Sequence, residues 1–193
     1  MAGTLIPFDP ISGKPGPLPG CDEYLPELGR DFRLVVTTGD ETASARALLR
    51  RFDLLDHFET VVGDLFARMG KPYGDILRGL GGTPSRSLAI GDRLQADICG
   101  DCDDVVTLLV NQNGDTCNAG MVAWMVARLL KEDPEFPAAF DKLASTADPD
   151  GEVPRPTHGG EIVGSWKRQD GFPWHLLRFK HPALGGDRRI IVL

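Results

Sequence analysis

Asp92 and Asp97 stand five positions apart in Gly91-Asp92-Arg93-Leu94-Gln95-Ala96-Asp97, directly after the apolar run Leu88-Ala89-Ile90. Two carboxylates on such a strand-to-helix turn can reach a hard cation beyond the strand end, and oxygen ligands of that kind suit magnesium. The plainer alternative has Asp97 capping or solvating a helix and Asp92 ending a turn. Lys71 opens a helix in Gly70-Lys71-Pro72. An ammonium there can neutralise an attacking carboxylate and a phosphoryl oxygen, or it can simply be a solvated surface charge. Thr37 closes the run Val35-Val36-Thr37, where its hydroxyl and the adjacent amides can donate hydrogen bonds to a phosphate. A threonine at a strand end also serves structure alone.

These residues need elements to position them, and the chain supplies alternating ones. Phe32 to Thr38 reads as a buried strand, followed by a helix capped at Asp40 or Thr42 with Ala45, Leu48, Leu49 and Phe52 at helical spacing. Phe58 to Gly63 is a second strand, and Tyr73 to Leu80 is a helix with Pro72 near its first turn. Ser87 to Ile90 is a third strand. A helix from Gln95 to about Cys102 leads to a fourth, Val105 to Val110. Strands alternating with helices at this interval predict an α/β fold, a parallel sheet with helices on both faces. Ligands bind beyond the carboxyl ends of such strands, which is where Thr37, Asp92 and Asp97 fall.

After Asn113-Gly114 the character changes. Met121 to Lys131 and Phe136 to Leu143 read as helices, and Asp148 to Gly160 as a linker. Ile162 to Lys167, His175 to Lys180 and Arg188 to Leu193 are expected to form a small antiparallel meander. The organisation expected is therefore a core over residues 1–114 and a C-terminal α+β appendage over 115–193.

A hydroxyl at one strand end, then a lysine, then Gly-Asp with a second Asp five residues later resembles motifs two, three and four of the haloacid dehalogenase superfamily. The likeness covers roughly Gly3 to Gly114 and is most specific in Gly70-Lys71-Pro72 and in Leu88 through Asp97. It implies a Rossmann-like parallel sheet and magnesium-dependent hydrolysis of a phosphate ester through an aspartyl-phosphate intermediate. By the same likeness Thr37 would hold the phosphate, Lys71 would steady nucleophile and phosphate, and Asp92 and Asp97 would bind or position the metal.

Motif one of that family is an apolar strand ending in Asp-x-Asp-Gly-Thr-Leu, its first Asp the nucleophile and its second the general acid and base. Gly3-Thr4-Leu5 fits the tail of the motif, which puts Ala2 at the second Asp and the nucleophile one residue before Met1. Some branches, the phosphonoacetaldehyde hydrolase-like ones among them, read Asp-Met-Ala-Gly-Thr here. A rival alignment makes Asp9 the nucleophile, but it sets Pro7 inside a central strand, where it cannot donate a ladder hydrogen bond. The favoured alignment predicts an incomplete motif one, and loss of a covalent nucleophile typically costs about a million-fold in turnover. An upstream apolar strand ending in Asp is then expected to raise solubility and activity. Between Thr4 and Thr37, and between Thr38 and Lys71, there is no room for a large inserted cap, so the core reads as capless.

Composition bounds the partners. Among 193 residues, 41% are hydrophobic and 25% charged, as in a folded globular protein. Twenty-eight acidic against 21 basic side chains give a formal charge of -7, which disfavours nonspecific nucleic-acid or anionic-membrane binding. No apolar run is long enough to span a bilayer, and the start lacks signal-peptide character, so a cytoplasmic location is expected. Four cysteines without framework spacing read as reduced thiols, Cys99 and Cys102 among them as buried free thiols rather than half of a zinc site. His57 reads as structural. Trp166, Trp174, His175 and His181 suggest an aromatic core or a homo-oligomer contact in the C-terminal region. Two functions from different classes follow: a magnesium-dependent phosphatase acting on a small or bulky phosphorylated substrate, and an inactive relative serving as a scaffold.

Overall fold

Short valine-rich runs with no polar face pair in parallel only where helices cover them. The computed structural model describes residues 4–6, 16–17, 19–65, 70–110, 119–149, 160–167 and 175–193. Its backbone contacts divide the chain into two units, one of Met1–Ala67 with Thr116–Val126 and one of Arg68–Asp115 with Ala127–Leu193.

In the first unit, α1 (Cys21–Asp31) precedes β1 (Val35–Thr37), α2 (Thr42–Arg51) and β2 (Thr60–Val62). The strands pair in parallel with Val36 opposite Val61, both buried. Helical spacing of four sets Cys21 with Leu25 in α1 and Ala45 with Leu49 in α2 on single faces, and these join Ile6 and Leu54 over the two valines. The strand expected over Phe32 to Thr38 is shorter because its partner β2 is three residues long, Thr60–Val62. Hydrogen bonds nonetheless continue one step at each end, Glu59 N–H to the Leu34 carbonyl at 2.9 Å and Thr38 N–H to the Val62 carbonyl at 3.0 Å.

The second unit holds α3 (Tyr73–Gly79), β3 (Leu88–Gly91), α4 (Leu94–Asp97) and β4 (Val106–Leu109). A helix that begins in the first unit, α5 (Ala119–Glu132), is followed by α6 (Phe136–Thr146), β5 (Asp148–Pro149), β6 (Glu161–Lys167), β7 (His175–Lys180) and β8 (Asp187–Val192). The sheet order is β3-β4-β8-β7-β6-β5. β3, β4 and β8 run parallel; β8, β7 and β6 form the antiparallel meander read from the sequence, and β5, in the stretch expected to be a linker, pairs antiparallel with β6. The meander continues the core sheet because β8 docks on β4, with Leu108 opposite Ile191 and Leu109 opposite Val192. Every residue of β4 is buried, so its backbone groups need partners on both edges, and the apolar Ile190-Ile191-Val192 run supplies the second edge. Asp141 on α6 clamps β7 and β8 through Arg178 at 2.8 Å and Arg189 at 2.9 Å. The fold is α/β with parallel strands and helices, consistent with a Rossmann-like core.

One element differs. The helix expected to run from Gln95 to about Cys102 ends at Asp97. Ile98 turns extended and the next residues lie alongside Lys71, with Lys71 N–H donating to the Ile98 carbonyl at 2.9 Å and Gly100 N–H to the Lys71 carbonyl at 2.8 Å. Backbone that bonds an adjacent strand segment cannot also continue an i to i−4 ladder.

Candidate active site

Asp92 follows the carboxyl end of β3, and Asp97 folds back onto that turn. One Asp97 oxygen, Oδ2, accepts from the backbone N–H of Asp92 and of Arg93, each at 3.0 Å. The other, Oδ1, accepts from Lys71 Nζ at 2.6 Å. The side chains of Lys71 and Asp97 are 9% and 5% exposed, so this is a buried ion pair. Burial pushes the Asp97 carboxyl up, but the Lys71 ammonium and the Arg93 and Asp92 amides outweigh it and hold the group below its ordinary value. Asp92 itself is half-buried.

Two glycines make the pairing possible. A Cβ on Gly91 would stand 2.2 Å from the Asp97 Cβ, so only glycine leaves room for the carboxylate to fold against the strand end. Gly70 has φ 71°, and a Cβ there would stand 2.8 Å from the Gly100 Cα. That close approach, with Gly70 N–H donating to the Gln95 carbonyl at 2.7 Å, sets Lys71 in the ladder beside Ile98. Tyr73, buried in the first turn of α3, lies with its ring centroid 6.0 Å from Lys71 Nζ. The sequence pointed to Lys71, Asp92 and Asp97 as ligand-facing groups; it did not show that Asp97 is the counter-ion of Lys71. Alternative roles for a buried carboxylate separate only when its partners are seen.

Thr37 ends β1 in the first unit, half-buried and opposite Val62. Its neighbour Thr38 is the more enclosed hydroxyl, 2% exposed. Thr38 Oγ1 donates to Asp40 Oδ2 at 2.9 Å and accepts from Asp40 N–H at 3.1 Å. Asp64 N–H donates to the Asp40 carbonyl at 2.8 Å and Leu65 N–H to that of Thr38 at 3.1 Å, which ties the loop after β2 to the loop after β1.

As donors, the carboxylates fit a hard cation. Magnesium usually keeps several waters and takes one or two carboxylates plus substrate oxygens. Asp92 at the strand end is the candidate for direct ligation. Asp97, with both oxygens engaged, secures the amides of the Asp92-Arg93 turn.

Cys99 and Cys102 lie in the loop after α4, not on a helix. Burial, with hydrogen bonding to Cys102 and Asp101, pushes the Cys99 thiol up to about 12, so it is protonated at neutral pH. His57 sits in a 3-10 turn between α2 and β2. Trp166 packs edge-on against Phe140 with centroids 6.4 Å apart. Buried His181 accepts at Nδ1 from Ala183 N–H at 3.1 Å. Asp9, Trp174 and Met1 to Gly3 lie outside the described residues.

Residues 10–99, which include Thr37, Lys71, Asp92 and Asp97, match the family model of the haloacid dehalogenase-like hydrolases. That stretch, just under half of the 193 residues, is similar to haloacid dehalogenase-like hydrolases. Among solved structures, an uncharacterized protein from Listeria monocytogenes serotype 4b is similar at 15% identity and a TM-score of 0.55, covering 69% of this chain and 96% of that one. This likeness concerns the fold alone. A protein described as a beta-phosphoglucomutase from Thermotoga maritima is similar at 20% identity and a TM-score of 0.41, covering 57% of this chain and 54% of that one. The chain thus spans about half the length of the Thermotoga protein. A search of curated proteins returns no match. No helix among the described residues is long and apolar enough to cross a membrane.

Proposed function

We propose that this chain is a haloacid dehalogenase-like hydrolase of the phosphatase type, acting on a phosphate ester with magnesium. The observation that carries the reading is the buried Lys71–Asp97 pair beside the strand-end turn of Asp92. Desolvating two charges costs several kcal/mol per ion, and a well-packed apolar pair of similar volume is often as stable or more so. A charge pair kept at a strand's carboxyl end is therefore better explained by a task than by stability. In this reading Lys71, held in one place by Asp97, presents its ammonium to phosphoryl oxygens, and Thr37 donates its hydroxyl to the phosphate. Asp92 would ligate magnesium directly and Asp97 would position it from behind the turn. When bound, the cation would withdraw charge from a phosphoryl oxygen. The substrate class is a small or bulky phosphorylated molecule met in the cytoplasm. Residues 115–193, whose β8 completes the sheet of β3 and β4, would mediate self-association.

The test follows thermal unfolding during a magnesium titration, in parallel with hydrolysis of an aryl phosphate. Magnesium is expected to raise the Tm of the native chain and not that of Asp92→Asn. Lys71→Met is expected to lose about a hundredfold or more in turnover, the scale of removing one preorganised electrostatic donor. A Tm that magnesium leaves unchanged, or raises equally in Asp92→Asn, defeats the metal assignment. An inert native chain with intact fold leaves the scaffold reading in its place.

A further inference from the structure

A second cluster of ligating side chains lies one residue beyond Ile98, in Cys99-Gly100-Asp101-Cys102. We propose that Cys99, Asp101 and Cys102 form a binding site for a thiophilic divalent cation of the zinc class, distinct from the carboxylate turn at Asp92.

The loop geometry gathers the three donors. Because the chain leaves α4 at Asp97 and turns extended at Ile98, Cys99 and Cys102 face each other with sulfurs 3.1 Å apart. Cys99 Sγ also lies 3.1 Å from Asp101 Oδ1, and the three ligand atoms all fall within 4.8 Å of one another. Tetrahedral zinc with metal–sulfur bonds of about 2.3 Å holds two sulfurs roughly 3.8 Å apart, so a side-chain adjustment below an ångström opens the pair around an ion. Cys102 is half-buried and Asp101 is exposed, which leaves an approach from solvent and a fourth position for water.

The surroundings hold the donors in place. Gly74 N–H donates to Asp101 Oδ1 at 2.9 Å and Asp75 N–H to Oδ2 at 2.7 Å, so the carboxylate is oriented from behind as second-shell partners orient a ligand. A carboxylate has about four acceptor positions, and these two bonds leave it able to ligate. A Cβ on Gly74 would stand 3.0 Å from both Asp101 Oδ2 and Cys102 Sγ, and glycine keeps that space open. On the other side the buried Arg188 donates from Nε to the Cys99 carbonyl at 2.6 Å and fixes the backbone of the buried ligand.

Two thiolates and a carboxylate carry three negative charges against the two positive charges of the cation, and the guanidinium of Arg78, paired with Asp75 at 2.8 Å, lies 3.7 Å from Asp101. Binding exchanges the two thiol protons for the metal and releases them to solvent. A disulfide between the same cysteines would leave the aimed carboxylate without a part. Cys99 lies opposite Lys71 in the backbone ladder, so an ion here would brace the segment that holds Lys71.

The full chain, reduced and stripped of metal, is titrated with cobalt(II) and then zinc. One equivalent of cobalt is expected to give a thiolate charge-transfer band in the near ultraviolet, zinc to bleach it, and zinc to raise the Tm. Cys102→Ser, at the partly exposed ligand, is expected to lose both the band and the Tm shift, while Asp92→Asn keeps them. In the native chain zinc is expected to slow alkylation of Cys102 and magnesium is not, a readout that needs no variant to fold. Absence of the band from the native chain, its survival in Cys102→Ser, its loss in Asp92→Asn, or alkylation indifferent to zinc overturns the site.

Discussion

Two of the loops that follow parallel strands hold paired polar side chains, and they are built by different means. After β1, Thr38 and Asp40 satisfy each other through a hydroxyl, and the loop after β2 joins them by backbone hydrogen bonds. After β3, the turn closes on a buried carboxylate whose partner is a buried ammonium. The first arrangement needs only a short two-stranded sheet, because its carboxylate, Asp40, stays in water and only the Thr38 hydroxyl is buried. The charged one sits on a six-stranded sheet and needs two glycines, an edge ladder and three donors to one carboxylate. A buried charge is tolerated only where every remaining lone pair is answered, so the second loop is the more constrained and the more fragile to substitution.

The sharpest way to break this contrast is Lys71→Met. It leaves Asp97 buried without its cation and is expected to cost about 3–5 kcal/mol in urea unfolding. The pH dependence moves with it. In the native chain the depressed Asp97 pKa makes its contribution complete above the ordinary carboxylate value, about 3.9, and lost as pH falls through the lower folded value. With the ammonium gone, burial is opposed only by the turn amides, so the acid transition is expected to shift to higher pH. An unchanged acid midpoint would mean the pair is not coupled.

Next in size is Gly91→Ala, where the new methyl must displace Asp97 or bend the strand end. About 1–3 kcal/mol is expected, the range for overpacking, together with an acid transition moved in the same direction as in Lys71→Met. A neutral result would show that the turn can relax around a Cβ.

The smallest effect is expected in the first unit. Thr38→Val removes one hydroxyl whose partner, Asp40, is exposed to water, and about 1 kcal/mol is expected with no change in acid midpoint. Should Thr38→Val cost as much as Lys71→Met, the two loops are equally constrained and the contrast fails.

How much of this was legible beforehand varies by residue. Val105 to Val110 read as the fourth strand of the parallel sheet, and β4 lies there with every residue buried, because an uninterrupted apolar run has few other places to go. His175 to Lys180 is β7 to the residue. The helix expected through Cys102 failed because its apolar positions suit a helix locally, while the unsatisfied edge beside Lys71 draws Ile98 and Gly100 into a ladder. Thr37 was the obvious hydroxyl from the strand pattern. That Thr38 is the enclosed one depends on Asp40 folding back, which no period reveals.

The sequence by itself determined the order of strands and helices, the family likeness over residues 10–99, and the three chemical groups Lys71, Asp92 and Asp97 at element ends. Those follow from hydrophobic period and local spacing, which are properties of neighbours in the chain. Only the tertiary structure decided that Asp97 belongs to Lys71, 26 residues away, and that the meander completes the sheet of β3 and β4. Each is a pairing between segments distant in sequence, set by which backbone edges and buried charges still lacked a partner once the local elements had formed.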